Sequence, residues 1–272
     1  MKRNTMNMIL AVIVMLLPFR AWAQNDFGKN MDELNKRIVA DTHRVPPAFE
    51  ALETVAVKGS YHPEGVHVHY NPSLAEVQLV RLDGVYNYDG KYFSAAEHPG
   101  AIEAMGHSER VLITSLTPDT TTRYTVVFSR GMSADPYFLM FDVAGDSLCF
   151  RGRTPFCTDI YIPGDGCIYT SGHVNSMFDV RRKYTIRDGG LVEIPQPMQY
   201  VGMETVTTKK ITLTHDRGGT GAVAELDAGT TITVLVNDGD DYLILTPQGI
   251  TGWARIPSGV YTPIRYLMFR GD

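Results

Sequence analysis

The sequence predicts a mostly β protein with a short helix near its N-terminus. Three observations carry that prediction. From Gly65 onward, short runs alternate apolar and polar side chains, as in Val66-His-Val-His-Tyr70 and Thr230–Val236. Turn signals such as Asp83-Gly84, Asp89-Gly90, Pro118-Asp119, Gly145-Asp146, Asp188-Gly-Gly190 and Asn237–Asp241 separate those runs, about every 8–12 residues. Helical spacing is convincing in one place, Asn30–Thr42. There Asn30 can cap, Asp32 and Glu33 sit in the positive first turn, and Met31, Leu34, Ile38 and Val39 share a face.

The chain begins with an export pattern. Lys2 and Arg3 precede the apolar run Met8–Phe19, and Ala21-Trp22-Ala23 is an A-x-A cleavage site, so residues 1–23 read as a signal peptide. The run is too short for a membrane span, which needs about 20 apolar residues, and no later run replaces it. The expected mature chain is exported, periplasmic or secreted, with no integral membrane segment after cleavage. Removing Lys2, Arg3 and Arg20 leaves 22 basic against 30 acidic residues, a formal charge of −8. An acidic chain without a basic cluster excludes nucleic acid as an expected partner.

Pro46-Pro47 stops the helix, and Ala48–Val57 reads equally as a short helix or a strand. Strands are then expected at Val66–Tyr70, Ala75–Leu82, Arg110–Leu116, Arg123–Ser129, Pro136–Val143, Ser147–Phe150, Asp159–Ile162, Cys167–Ser171, Met177–Arg187 and Leu191–Ile194. A Tyr-rich hairpin surrounds Asp89-Gly90. This spacing predicts a sandwich, a barrel or a propeller-like sheet set across residues 24–202. The polar stretch Gly202–Lys210 reads as a linker to a second core over residues 203–272.

Residues 211–256 carry Val223, Leu226, Gly229, Ile232, Val234 and Leu235, then an acidic turn, then Gly249, Gly252 and Trp253. That pattern resembles a bacterial Src-homology-3-like (SH3-like) barrel. The segment from Gly166 to Gly202, with Asp135-Pro136-Tyr137, resembles a β-rich domain of uncharacterised exported bacterial proteins that precedes such a module. The resemblance implies a C-terminal SH3-like barrel and an envelope setting, and brings no known activity. It also implies that Tyr242 and Trp253 lie where such barrels gather aromatics beside a groove, able to stack on a sugar face or a peptide stem. Where wall-targeting members have an Asn-Val-Arg-x-Gly-Pro loop, this chain reads Leu213-Thr-His-Asp-Arg-Gly-Gly219.

Catalytic constellations are not legible. Cys149, Cys157 and Cys167 lack the helix-start context of a cysteine peptidase and read as buried structural residues. Cys149 and Cys157 flank Arg151-Gly152-Arg153, which would turn a hairpin if the two were bridged. His67 and His69 point to one face of a strand, a spacing compatible with a metal edge only if His62, His98, His107 or a distant acid completes it. Otherwise they form the solvated face opposite Val66 and Val68. No serine-nucleophile or phosphate-loop signature occurs, so no catalytic residue, metal or cofactor is expected. The expected function is a non-catalytic binding or scaffold protein whose SH3-like module docks on a cell-wall peptide, a glycan or an envelope protein. The alternatives are a wall or glycan hydrolase with its site in Ala48–Gly202, and a purely structural role.

Overall fold

Tyr137-Phe-Leu-Met-Phe141 is apolar without alternation, and all five side chains are buried. A strand of that kind must be covered on both faces, and it sets how the layers stack. The computed structural model describes residues 47–57, 65–132, 135–145, 147–172, 176, 178–257 and 263–267. The expected signal peptide and the expected helix Asn30–Thr42 lie outside them.

Sheet I has the strand order β1 (Glu53–Val57), β2 (Val66–Tyr70), β10 (Asp159–Ile162), β11 (Cys167–Ser171), β12 (Arg182–Arg187), β13 (Gly190–Ile194). Sheet II runs β3 (Ala75–Arg81), β6 (Glu109–Thr114), β7 (Tyr124–Ser129), β8 (Tyr137–Ala144), β9 (Ser147–Arg153). Sheet III runs β14 (Gln199–Val206), β17 (Thr231–Asp238), β18 (Asp241–Leu245), β19 (Thr251–Arg255), β15 (Ile211–Thr214), β16 (Ala222–Leu226). A small hairpin pairs β4 (Gly84–Tyr86) with β5 (Tyr92–Ser94). One α-helix occurs among the described residues, α1 (Pro99–Met105), opened by the proline that suits a first helical turn.

The fold is mostly β. Sheets I and II form a sandwich, because Val66, Val68, Ile160, Ile162 and Ile168 of the first pack with Val126, Phe128, Phe138 and Met140 of the second in one core. The other face of sheet II buries Val127, Tyr137, Leu139 and Phe141 beneath Tyr86 and Tyr88 of the hairpin region, together with Phe150 and Phe156. The Tyr137 hydroxyl donates to the Tyr86 carbonyl at 2.8 Å, which ties the cover down. Sheet III encloses its own cluster of Leu213, Ile232, Val234, Tyr242, Ile244 and Ala254. Phe178 and Val180, from the segment between β11 and β12, are inserted into it.

Several expectations change. Ala48–Val57 holds both conformations it offered, a 3-10 turn at Pro47–Phe49 and then β1. Arg151-Gly-Arg153 turns no hairpin, because β9 continues through it against β8, with a bulge at Arg151. The stretch read as a linker is mostly strand. β14 pairs with β17 from Gln199 to Val206, so position 202/203 falls inside a ladder. The turn of the β12–β13 hairpin matches its signal, although the strand expected over Met177–Arg187 begins only at Arg182. Asp188 and Gly189 both have positive φ, 52° and 76°, as the two-residue Asp-Gly turn requires.

Gly252 is fixed by packing. A Cβ there would lie 2.7 Å from Val223 Cγ2 and 2.8 Å from Leu213 Cβ. Gly252→Val is expected to cost about 1–3 kcal/mol through overpacking. Gly100→Ala, in α1 with nothing within 4 Å, should be neutral or stabilising by up to about 1 kcal/mol. Thermal unfolding of the two variants checks the contrast, and equal melting temperatures would contradict it.

Candidate functional site

β2 alternates with its apolar side chains in the sandwich core, so His67 and His69 project from the opposite face of sheet I. β10 lies parallel to β2 and brings Asp159 between them. Asp159 Oδ1 is 3.1 Å from His69 Nε2 and 3.5 Å from His67 Nδ1, while Oδ2 accepts from the Thr158 hydroxyl at 2.8 Å. The carboxylate can only accept, so His69 Nε2 carries its proton. The Nδ1 of the same ring is 2.8 Å from Thr54 Oγ1. The His69 ring also stacks on Tyr161, with centroids 4.3 Å apart and planes 7° from parallel. Asp159 and His69 are both buried, and the face expected to be solvated is instead a packed polar cluster.

Burial pushes the Asp159 carboxyl up, but hydrogen bonds from His67, His69 and Thr158 together outweigh it and hold the group below the usual aspartate range. That is the reverse of what a general acid needs. Both His69 nitrogens are engaged, so the ring has no free lone pair for a substrate proton or a metal. The cluster fastens β1, β2 and β10 together. The other histidines considered for a metal edge lie elsewhere: His107 Nδ1 is 2.9 Å from the Leu82 carbonyl oxygen and His98 packs edge-on to Phe93. His62 lies outside the described residues. Among the described residues no three His, Cys, Asp or Glu side chains are placed to hold a metal ion.

The cysteines are free thiols. Cys157 is buried, and burial raises its thiol to about 12, so it is inert at neutral pH. Cys149 is exposed on β9 rather than buried, opposite Asp142, and the bridge considered between Cys149 and Cys157 is not formed.

The two aromatics singled out in the sequence part company. On β18 the alternation turns Tyr242 and Ile244 inward, so Tyr242 is 5% exposed and burial raises its hydroxyl to about 12. Tyr242 is a core residue, and its assignment to a ligand surface is corrected. On β19, Gly252 and Ala254 face inward, and Trp253 is left on the outer face, half-buried. The Arg217 guanidinium lies 4.8 Å over the Trp253 ring and is held by an ion pair with Asp238.

Register makes Trp253 part of a row. Trp253 pairs with Leu243, Leu243 with Val236, and Val236 with Tyr200. A bulge at Leu235 keeps Val236 on the outer face. Four adjacent strands thus present Tyr200, Val236, Leu243 and Trp253 in line, about 15 Å long at the usual strand spacing. Tyr200 is 64% exposed. It lies in Gln199–Val206, a stretch whose sequence suggests an exit and a linker. The signal available was Gly202-Met-Glu-Thr-Val206, which continues the alternation of a strand.

No family model, curated protein or solved structure matches the chain.

Two measurements test this account. Asp159→Ala strands the His69 and Thr158 donors, at about 1–3 kcal/mol for each buried group left unsatisfied. Because the folded Asp159 pKa lies below its unfolded value, its contribution is present at neutral pH and disappears as pH falls through the folded value. The stability gap between wild type and Asp159→Ala should therefore be wide at pH 7 and close on acidification past about 3.9. A gap independent of pH would contradict the assignment. In native protein, a thiol-reactive dye should modify Cys149 quickly and Cys157 only on unfolding. Fast native labelling of Cys157 would contradict its burial.

Proposed function

We propose that the protein is a non-catalytic binding or scaffold protein of the cell envelope, with an SH3-like C-terminal module as its docking element. The observation that carries this reading is the outer row Tyr200–Val236–Leu243–Trp253, with aromatic rings at both ends and aliphatic side chains between. Rings spaced along a sheet face suit the CH-rich faces of sugars or the stem of an extended peptide, and an anchor at each end fixes register. Arg217 and Asp238 add a charged edge beside Trp253 that can select among such ligands.

The occupants this supports are a wall peptide, a glycan or the extended segment of an envelope protein. The export pattern at the N-terminus and the engaged Asp159–His69 pair are consistent with binding rather than turnover.

Tyr200 is the clean residue to test, because its exposed ring can be removed within about ±0.5 kcal/mol of wild-type stability. Tyr200→Ala and Trp253→Ala are expected to weaken retention on cell-wall sacculi or envelope extract by at least about fivefold each. Tyr242→Ala should instead act through stability, lowering the melting temperature. Wild-type retention by both outer-row variants would remove the reading, and release of soluble muropeptides by the wild-type protein would replace it with hydrolysis.

A further inference from the structure

The outer face of sheet I carries a second row, which crosses all six strands. Thr54, His69, Tyr161, Tyr169, Lys183 and Ile194 are successive cross-strand partners. The 3-10 turn lays Phe49 on this row, stacked on Tyr161 at 4.8 Å and 24° and leaning on Tyr169 at 5.1 Å. At the Tyr169 end the face is concave. A half-open pocket of about 220 Å³ is walled mainly by apolar surface from Phe49, Tyr161, Tyr169 and Ile194, with Arg181 and Lys183 also in its lining.

The charges of that lining have one sign. Lys183 Nζ lies 5.3 Å over the Tyr169 ring. Arg182, also in the lining, is paired with Glu193 at 3.7 Å. Arg181 is exposed and makes no ion pair among the described residues. Asp165, which accepts from the Tyr169 hydroxyl at 2.6 Å, is outside the lining, and no carboxylate residue is among the lining residues described. In a chain of formal charge −5, the lining itself carries only cations, Arg181, Arg182 and Lys183, while Asp165 and Asp179 act on it from outside. The pocket volume is below the ~300–1,000 Å³ of drug-sized sites, which leaves room for one ring and a short side chain.

We propose that this pocket binds a small carboxylate carried on a flat or CH-rich ring, with the ring against Phe49 and Tyr169 and the anion at Arg181 and Lys183. The ring supplies apolar contact with the aromatic walls. The carboxylate gives Arg181 the planar, two-oxygen partner that its guanidinium fork matches. An aromatic acid and a sugar acid share this chemistry, and the experiment separates them. The site is on a different sheet from the row that carries the proposed docking function, and it stands or falls independently.

The test is a titration of the whole protein with phenylacetate and, separately, with glucuronate, followed by NMR of the aromatic side chains and by calorimetry. The neutral counterparts 2-phenylethanol and glucose serve as controls. One of the acids should shift the Phe49 and Tyr169 ring signals and bind at least about fivefold more tightly than its neutral counterpart. Arg181→Gln, an exposed change that should leave the melting temperature unaltered, should abolish that preference. Tyr169→Leu should weaken acid and neutral compound together. Tyr200→Ala should leave acid binding unchanged even where it loses envelope retention. Absence of binding by both acids up to ~10 mM would overturn the proposal. So would equal affinity for acid and neutral compound, or an undiminished acid preference in Arg181→Gln.

Discussion

The parallel pairing of β2 with β10 holds the sandwich together. The chain leaves sheet I after β2, builds the β4–β5 hairpin and all of sheet II, and returns as β10 to lie beside the strand it left. Without that return, β1 and β2 would be a two-stranded ribbon, which is marginal on its own in water. The contact spans about ninety residues, so its loop-closure cost must be recovered by what the two strands share. On the core side they share Val66, Val68, Ile160 and Ile162. On the outer side Asp159 of β10 accepts from His69 of β2 and from Thr158, the residue before β10. A buried carboxylate with too few donors would be a liability in that position, and the three donors from His67, His69 and Thr158 are what make it a fastener.

Once sheets I and II are locked face to face, the rest of the architecture follows from the two-residue period of a strand. Sheet II buries its second face because β8 is apolar at every position, and the Tyr-rich hairpin region supplies the cover. Sheets I and III each keep an outer face on which every second residue escapes the core. On both, cross-strand register gathers aromatic side chains into a line instead of scattering them. Such lines come from pairing partners far apart in sequence, as between Tyr200 and Val236, or between His69 and Tyr161.

That origin explains what the sequence could disclose. Local alternation and turn chemistry placed Val66–Tyr70, Asp159–Ile162 and Cys167–Ser171 at their true bounds. They also placed the Asp188-Gly189 turn, since both signals act within a few residues. Which of two aromatics faces out is harder. Tyr242 and Trp253 both sit on strands, and only the parity of β18 and β19 relative to the core separates them. Helix α1 went unread because Pro99–Met105 is seven residues long, too short for helical spacing to repeat. The Asp159 cluster joins residues 54, 67, 69, 158 and 159 through sheet pairing, which no local pattern records. The linker reading of Gly202–Lys210 gives way over Gly202–Val206 for a similar reason: polar side chains on the outward face of β14 resemble a loop.

Exposed aromatic rows on sheet faces carry a cost of their own, since flat apolar surface invites association with other sheets. Both rows here are moderated in the same way. Arg217 lies over Trp253 and Lys183 over Tyr169, each placing a cation on a ring while leaving part of the face open to water. A cation so placed shields the ring in the free protein and is already positioned for an anionic or hydroxyl-rich ligand. The difference between the rows lies in their remaining partners. Arg217 is tied to Asp238, so its charge is locally answered beside the sheet III row. Arg181 makes no ion pair among the described residues, and it lines the pocket beside Tyr169 together with Lys183. The same solution for protecting an exposed ring thus yields two surfaces with different charge, which is what separates the docking row from the anion pocket proposed for them.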